Sequence, residues 1–172
     1  YRVIFGRKLF NSYFKFAFVR NPWDRLFSAY TFLSRGGWNE KDREWFNMHL
    51  GHLPDFNTFV IDWLSPETIR SHLHFLPQRD FICDRKGRVL LDWIGYFETL
   101  FEDYNDVAYR LGIRSQLNHV NASGGKGYRM AYTAKAADKV LELYRQDIEN
   151  LGYSFDGILT RKTIDAGRFK AL

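Results

Sequence analysis

Residues 13–33 change hydrophobic period midway, and no other stretch constrains the fold as much. Residues 13–19 form a short apolar and aromatic run, the pattern of a strand buried on both faces. Asn21-Pro22 interrupts it. Proline lacks an N–H and suits the first turn of a helix, and asparagine before it can cap that helix. Asp24, three residues after Asn21, completes a box-like cap and puts negative charge at the positive end of the helix. Trp23, Leu26, Phe27, Tyr30 and Leu33 then recur at helical spacing as one apolar face. The reading is strand, tight turn, helix. Arg20 falls at the carboxyl end of the strand, the edge at which open α/β sheets bind ligands.

Once the apolar residues are assigned to a core, Arg20, Arg25 and Ser28 remain. A guanidinium at a strand end and a hydroxyl early in the next helix, beside exposed amide donors, suit a phosphate or sulfate. The competing reading is an Arg20–Asp24 ion pair with Ser28 as an ordinary surface serine. Both stay open on the residues alone.

A chain of 172 residues makes one domain with a substantial core. The net charge of +5 favours an anionic ligand or partner without separating nucleotide, nucleic acid and acidic glycan. A single cysteine, Cys83, excludes an intrachain disulfide and points to a reducing, cytoplasmic compartment. No apolar run reaches membrane-spanning length, and no signal peptide is evident.

Along the chain, residues 1–12 read as the end of a helix, and Ser34-Arg35-Gly36-Gly37 stops the helix that follows the turn. A short helix and loop are expected over 38–54. His49 and His52 lie there, but nothing nearby completes a ligand set, so no metal is expected. Residues 55–64 read as a helix starting near Asp55 or Asn57, and 65–71 as a shorter one. Residues 72–78 are irregular and carry His72, His74 and Leu76-Pro77-Gln78. Residues 81–83 and 89–91 suggest a β-hairpin, and 93–97 a second buried parallel strand. A helix then runs to Gly112, a conventional stop, with Glu98 as a charge on its N-terminal dipole. Residues 130–151 read as one long helix with Thr133 as a possible cap.

Residues 118–129 place three glycines around Lys126, flanked by Asn, Ser and Arg. Backbone amides of such a loop can wrap a phosphate, although the Walker spacing is absent. A flexible surface linker is the alternative. Asn-x-Ser at 121–123 matches a glycosylation acceptor but is discounted without a secretory signal. The organisation expected is one domain over 1–157 and a basic tail over 158–172.

Phe-Val-Arg-Asn-Pro-Trp-Asp-Arg-Leu-Phe-Ser-Ala-Tyr, residues 18–30, resembles the 3′-phosphate motif of sulfotransferases that use 3′-phosphoadenosine 5′-phosphosulfate (PAPS). The resemblance is to the carbohydrate, Golgi-type enzymes and their bacterial relatives (sulfotransferase family 2). Tyr-Phe-Glu-Thr-Leu at 96–100 and the Leu-Pro-Gln segment resemble them too. The fold implied is α/β and P-loop-NTPase-like, a central parallel sheet flanked by helices. Arg20 and Ser28 would hold the donor's 3′-phosphate, with Arg25 beside them. Lys126, Gly127 and Tyr128 occupy the place of a loop that closes over the nucleotide. The family also has an N-terminal strand-loop-helix with a Lys-x-Gly-x-Thr-Ser loop for the 5′-phosphosulfate. Residues 1–12 do not match it, so an N-terminally incomplete domain with little turnover of its own is expected.

The activity implied is in-line sulfuryl transfer from PAPS to a hydroxyl or amine, with a carbohydrate acceptor, no metal and no nucleic-acid partner. Its loose transition state would be stabilised by positioning and charge. His72 and His74 are the histidines available in the chain to take the acceptor's proton, with structural histidines as the alternative. A bacterial, cytoplasmic enzyme is expected. Two other classes stay open: a P-loop kinase relative using ATP, and a non-catalytic polyanion-binding domain.

Overall fold

A computed structural model describes residues 2–114, 117 and 127–162. Helix α1 (Arg2–Ser12), broken at Gly6, leads into strand β1 (Phe16–Val19). Strand β2 (Trp93–Tyr96) pairs with β1 in parallel, with Phe16 opposite Trp93 and Val19 opposite Tyr96. These two strands are the parallel sheet among the described residues. With helices packed around them, they make the fold α/β.

Burial of the sheet departs from the expectation of two covered faces. Val19 is buried with Ile82, Ile94, Tyr96, Leu151 and Tyr153. Phe14 and Phe16 stay exposed and continue through Phe18 to Trp93 as a chain of ring contacts. The run is largely apolar, with Lys15 inside it, but only its carboxyl end enters the core. Gly95 is required in this ladder: a Cβ there would lie 2.5 Å from the Trp93 ring and 2.7 Å from that of Phe18.

Helix α2 (Pro22–Ser34) begins at the predicted proline, with the Asn21 side chain accepting from the Trp23 N–H at 3.1 Å. Asp24 does not close the expected box, because its carboxylate takes Arg20 Nε and the Asn21 N–H goes to Glu98 instead. Its Trp23, Leu26, Ala29 and Leu33 sit in the larger core. Around them pack α3 (Glu40–His49), α4 (Phe56–Thr58) and the π-helical turn Phe59–Trp63 that continues it. Tyr30 meets Phe46, Phe56 and Phe59 ring to ring, so the high aromatic content is spent largely on this packing.

The hairpin expected at 81–91 is a helical turn, α5 (Arg79–Ile82), followed by a single antiparallel bridge between Cys83 and Val89. The buried carboxylate of Asp147 accepts the Gln78 and Arg79 N–H groups and starts that turn, a tertiary contact with no local signature. After β2, a 3-10 turn over Phe97–Thr99 enters α6 (Leu100–Leu111), which Gly112 closes in the left-handed region.

The long helix expected over 130–151 is three: α7 (Gly127–Ala131), α8 (Ala134–Leu143) and α9 (Arg145–Leu151). Asn57 makes the first break. Its Nδ2 donates to the Ala131 carbonyl and its Oδ1 accepts from the Thr133 N–H, both at 2.8 Å, replacing bonds a continuous helix would make. Thr133 then caps α8. The second break, at Tyr144, accompanies the bond from its hydroxyl to the Phe75 carbonyl. A hairpin of β3 (Tyr153–Ser154) and β4 (Gly157–Ile158) follows. Beyond it, Arg161 pairs with Asp103, and the Lys162 N–H donates to the Tyr96 hydroxyl.

Candidate active site

The turn between β1 and α2 is held from several sides. Gln78, buried, accepts the Arg20 N–H on Oε1 at 2.9 Å and donates from Nε2 to the Arg20 carbonyl at 2.8 Å. Glu98 accepts the Asn21 N–H at 2.7 Å and the Tyr153 hydroxyl at 2.9 Å. The Asn21 amide donates to the Ser154 carbonyl at 2.8 Å. Strand end, helix cap and hairpin are thus tied by polar bonds around two residues, which gives Arg20 a fixed main chain.

The Arg20 side chain is fixed as well. Its Nε donates to Asp24 Oδ2 at 2.8 Å, and its guanidinium lies over the Phe97 ring at 4.5 Å. The ion pair with Asp24 therefore exists. It uses Nε, and the terminal nitrogens meet no acidic side chain among the described residues. Ser28, half-buried, lies one helical turn beyond Asp24 and makes no hydrogen bond among the described residues. Arg20, Asp24 and Ser28 run in line up the start of α2.

Arg25 turns elsewhere. Its guanidinium donates to the Leu76 carbonyl at 2.8 Å near Tyr144 and Asp147, and burial pulls its pKa down. Arg25 therefore fastens the 76–79 segment to α2. Asp147 behind it is pushed up by burial, against the two N–H bonds and the Arg25 charge that favour its ionised form.

His72 and His74 are brought together, their rings stacked at 5.2 Å. Trp45 covers His72 at 4.2 Å and also touches His49, while Phe32 of α2 meets His74 at 5.3 Å. Phe32 lies one turn beyond Ser28, so His74 flanks the same helix face. Burial lowers both histidine pKa values, for His72 with His74 as a further cause, so both are neutral near neutral pH. The His74 N–H approaches His72 Nδ1 at 3.4 Å. Among the described residues no cluster of His, Cys, Asp and Glu could hold a metal ion, and no helix is long and apolar enough to cross a membrane.

Lys126 lies outside the described residues. Gly127 is exposed at the first position of α7. Tyr128 is buried, and its hydroxyl donates to the Phe155 carbonyl, so its side chain anchors the end of the glycine-rich loop to the core. Gln78 and Glu98 are the residues sequence reasoning undervalued. Glu98 sits in the helical turn that enters α6, as the sequence suggests, and its carboxylate also reaches back to the Asn21 N–H. The available signal is the company each keeps: Leu-Pro-Gln and Tyr-Phe-Glu-Thr-Leu are the two further segments that carry the family resemblance.

Comparisons with known proteins bear on this geometry. The family model described as "Sulfotransferase family" matches residues 3–154. An uncharacterized protein of Archaeoglobus fulgidus is 30% identical over 125 residues, covering 72% of this chain and 89% of its own length. No solved structure gives a significant match.

Proposed function

The chain belongs to the sulfotransferase family, and from that premise we propose that it binds PAPS and transfers the sulfuryl group to a carbohydrate hydroxyl or amine. The observation that carries the reading is the Arg20–Ser28 line. A guanidinium pinned through Nε by Asp24, with terminal nitrogens left over and a hydroxyl two turns along, matches the needs of a phosphate dianion. We assign the donor's 3′-phosphate to Arg20 and Ser28. Gln78 and Glu98 hold the main chain on which both depend, and Arg25 supports them from behind.

Lys126 and Gly127 are proposed to close over the nucleotide, with Tyr128 as the loop's anchor. His74 is the proposed base for the acceptor's proton. It is neutral at neutral pH and flanks the face of α2 that carries Ser28, while His72 packs against it.

Calorimetric titration with 3′-phosphoadenosine 5′-phosphate (PAP) tests the donor assignment. Wild type should bind, and Arg20→Ala should weaken binding by the roughly 1.5–3 kcal/mol of a charge-assisted contact. ATP should bind more weakly than PAP. Equal binding of PAP by a folded Arg20→Ala protein would remove Arg20 from the site.

A further inference from the structure

Two of the contacts that steady the Arg20 turn come from one short element, the 3-10 turn Phe97–Thr99. Phe97 lies under the Arg20 guanidinium at 4.5 Å, and Glu98 accepts the Asn21 N–H at 2.7 Å. Both residues are exposed, and a single 3-10 turn has little stability of its own, so packing alone does not hold them there.

Asp103 fixes this turn at both ends. Its buried carboxylate accepts the Tyr96 N–H at 2.5 Å, just before the turn, and the Thr99 hydroxyl at 3.0 Å, at its last residue. The counter-charge comes from the far end of the chain. Arg161 donates from Nη2 to both Asp103 oxygens, at 2.6 Å to Oδ2, and from Nη1 to the Thr99 hydroxyl at 3.0 Å. Its guanidinium also lies over the Tyr96 ring at 5.0 Å.

The main chain is bonded on both sides of Arg161. The Leu159 and Thr160 N–H groups donate to the Gly152 carbonyl at 2.8 and 3.0 Å, and the Lys162 N–H to the Tyr96 hydroxyl at 2.8 Å. Gly152 leads into Tyr153, whose hydroxyl donates to Glu98 at 2.9 Å. Burial and the Glu98 charge push the pKa of that hydroxyl up, so it stays a donor. Without Arg161, Asp103 is a buried carboxylate lacking its cation. Its relaxation toward water draws it away from Tyr96 and Thr99 and loosens the turn between them.

We propose that Arg161 is a positioning residue of the donor site: through Asp103 it fixes the turn that presents Phe97 to Arg20 and Glu98 to Asn21. The effect on the turn rests on these bonds alone; the effect on donor affinity rests on the assignment of Arg20 to the 3′-phosphate.

The test compares wild type, Arg161→Gln, Arg161→Lys and Thr68→Ala by amide hydrogen exchange and by calorimetry with PAP. Thr68→Ala is the stability control, because its hydroxyl bonds only to residues 63 and 65. Arg161→Gln is expected to speed exchange at Asn21 and Tyr96, whose N–H groups meet Glu98 and Asp103. Arg20 should be unchanged, since Gln78 holds its N–H from the other side. PAP affinity should fall roughly three- to tenfold, the range of one hydrogen bond. Arg161→Lys keeps the charge without the planar fork and should recover part of both effects. Thr68→Ala should lose stability and bind PAP as wild type does. Unchanged exchange at Asn21 and Tyr96 in Arg161→Gln overturns the proposal, and so does equal acceleration at Arg20, which would make Arg161 a general stabiliser. Looser Asn21 with undiminished PAP affinity, or an equal loss of affinity in Thr68→Ala, overturns the link to the donor site. If wild type binds no PAP, the donor reading fails, and the exchange pattern decides the role of Arg161 in the turn by itself.

Discussion

Gln78→Ala is the substitution that most directly probes the site's architecture. The side chain is buried and makes two hydrogen bonds, 2.9 and 2.8 Å, to the N–H and carbonyl of the same residue, Arg20. Each such bond contributes about 1 kcal/mol net, and stranding half-buried partners adds to the loss, so a destabilisation of about 2–3 kcal/mol is expected. For a chain of this size that lowers the unfolding midpoint by about 4–12 °C. The Arg20 main chain is then released, and PAP affinity should fall roughly tenfold although no group proposed to touch the phosphate has changed. Gln78→Met separates the causes, because it keeps most of the packing and removes both bonds. Thermal unfolding followed by circular dichroism and calorimetry with PAP would be run on the same samples. If Gln78→Met matched wild type in midpoint and PAP affinity, the clamp would have no energetic meaning and the reasoning would fail.

Three further outcomes follow from particular contacts. His72 and His74 have pKa values pulled below 6.5, mainly by burial, so the unfolded chain binds more protons; their stabilisation is present above 6.5 and is lost as pH falls through the lowered values. The unfolding midpoint should therefore drop on acidification from about pH 7 to 5, and a His72→Gln/His74→Gln variant should flatten that slope; an unchanged slope would refute the assignment. Gly152→Ala should destabilise by more than about 2 kcal/mol by denaturant titration, since φ is +73° and a Cβ would lie 1.9 Å from the Thr160 carbonyl oxygen. Asn57→Ala should cost about 2–3 kcal/mol and raise amide exchange at Ala131 and Thr133, because it removes the bonds that join α7 to α8; exchange unchanged there would contradict the role given to Asn57.

What the sequence determined alone was local. Asn21-Pro22-Trp23-Asp24 dictates a cap and a helix start within four residues, and Gly112 and Gly152 dictate left-handed stops, because these depend on φ/ψ preferences and bonds spanning a turn. The paired strands were readable from two short apolar runs. The breaks in the expected long helix have no local signal, because the first comes from Asn57, more than seventy residues earlier. The helical turn at the expected 81–91 hairpin has none either, because Asp147 organises it from more than sixty residues later. Gln78 and Glu98 carried no periodicity to mark them, since their partners are main-chain groups, which every residue has. Only the tertiary structure decides which backbone N–H a given carboxylate or amide meets: burial makes an unpaired polar group costly, and the chain's path determines which partners are within reach.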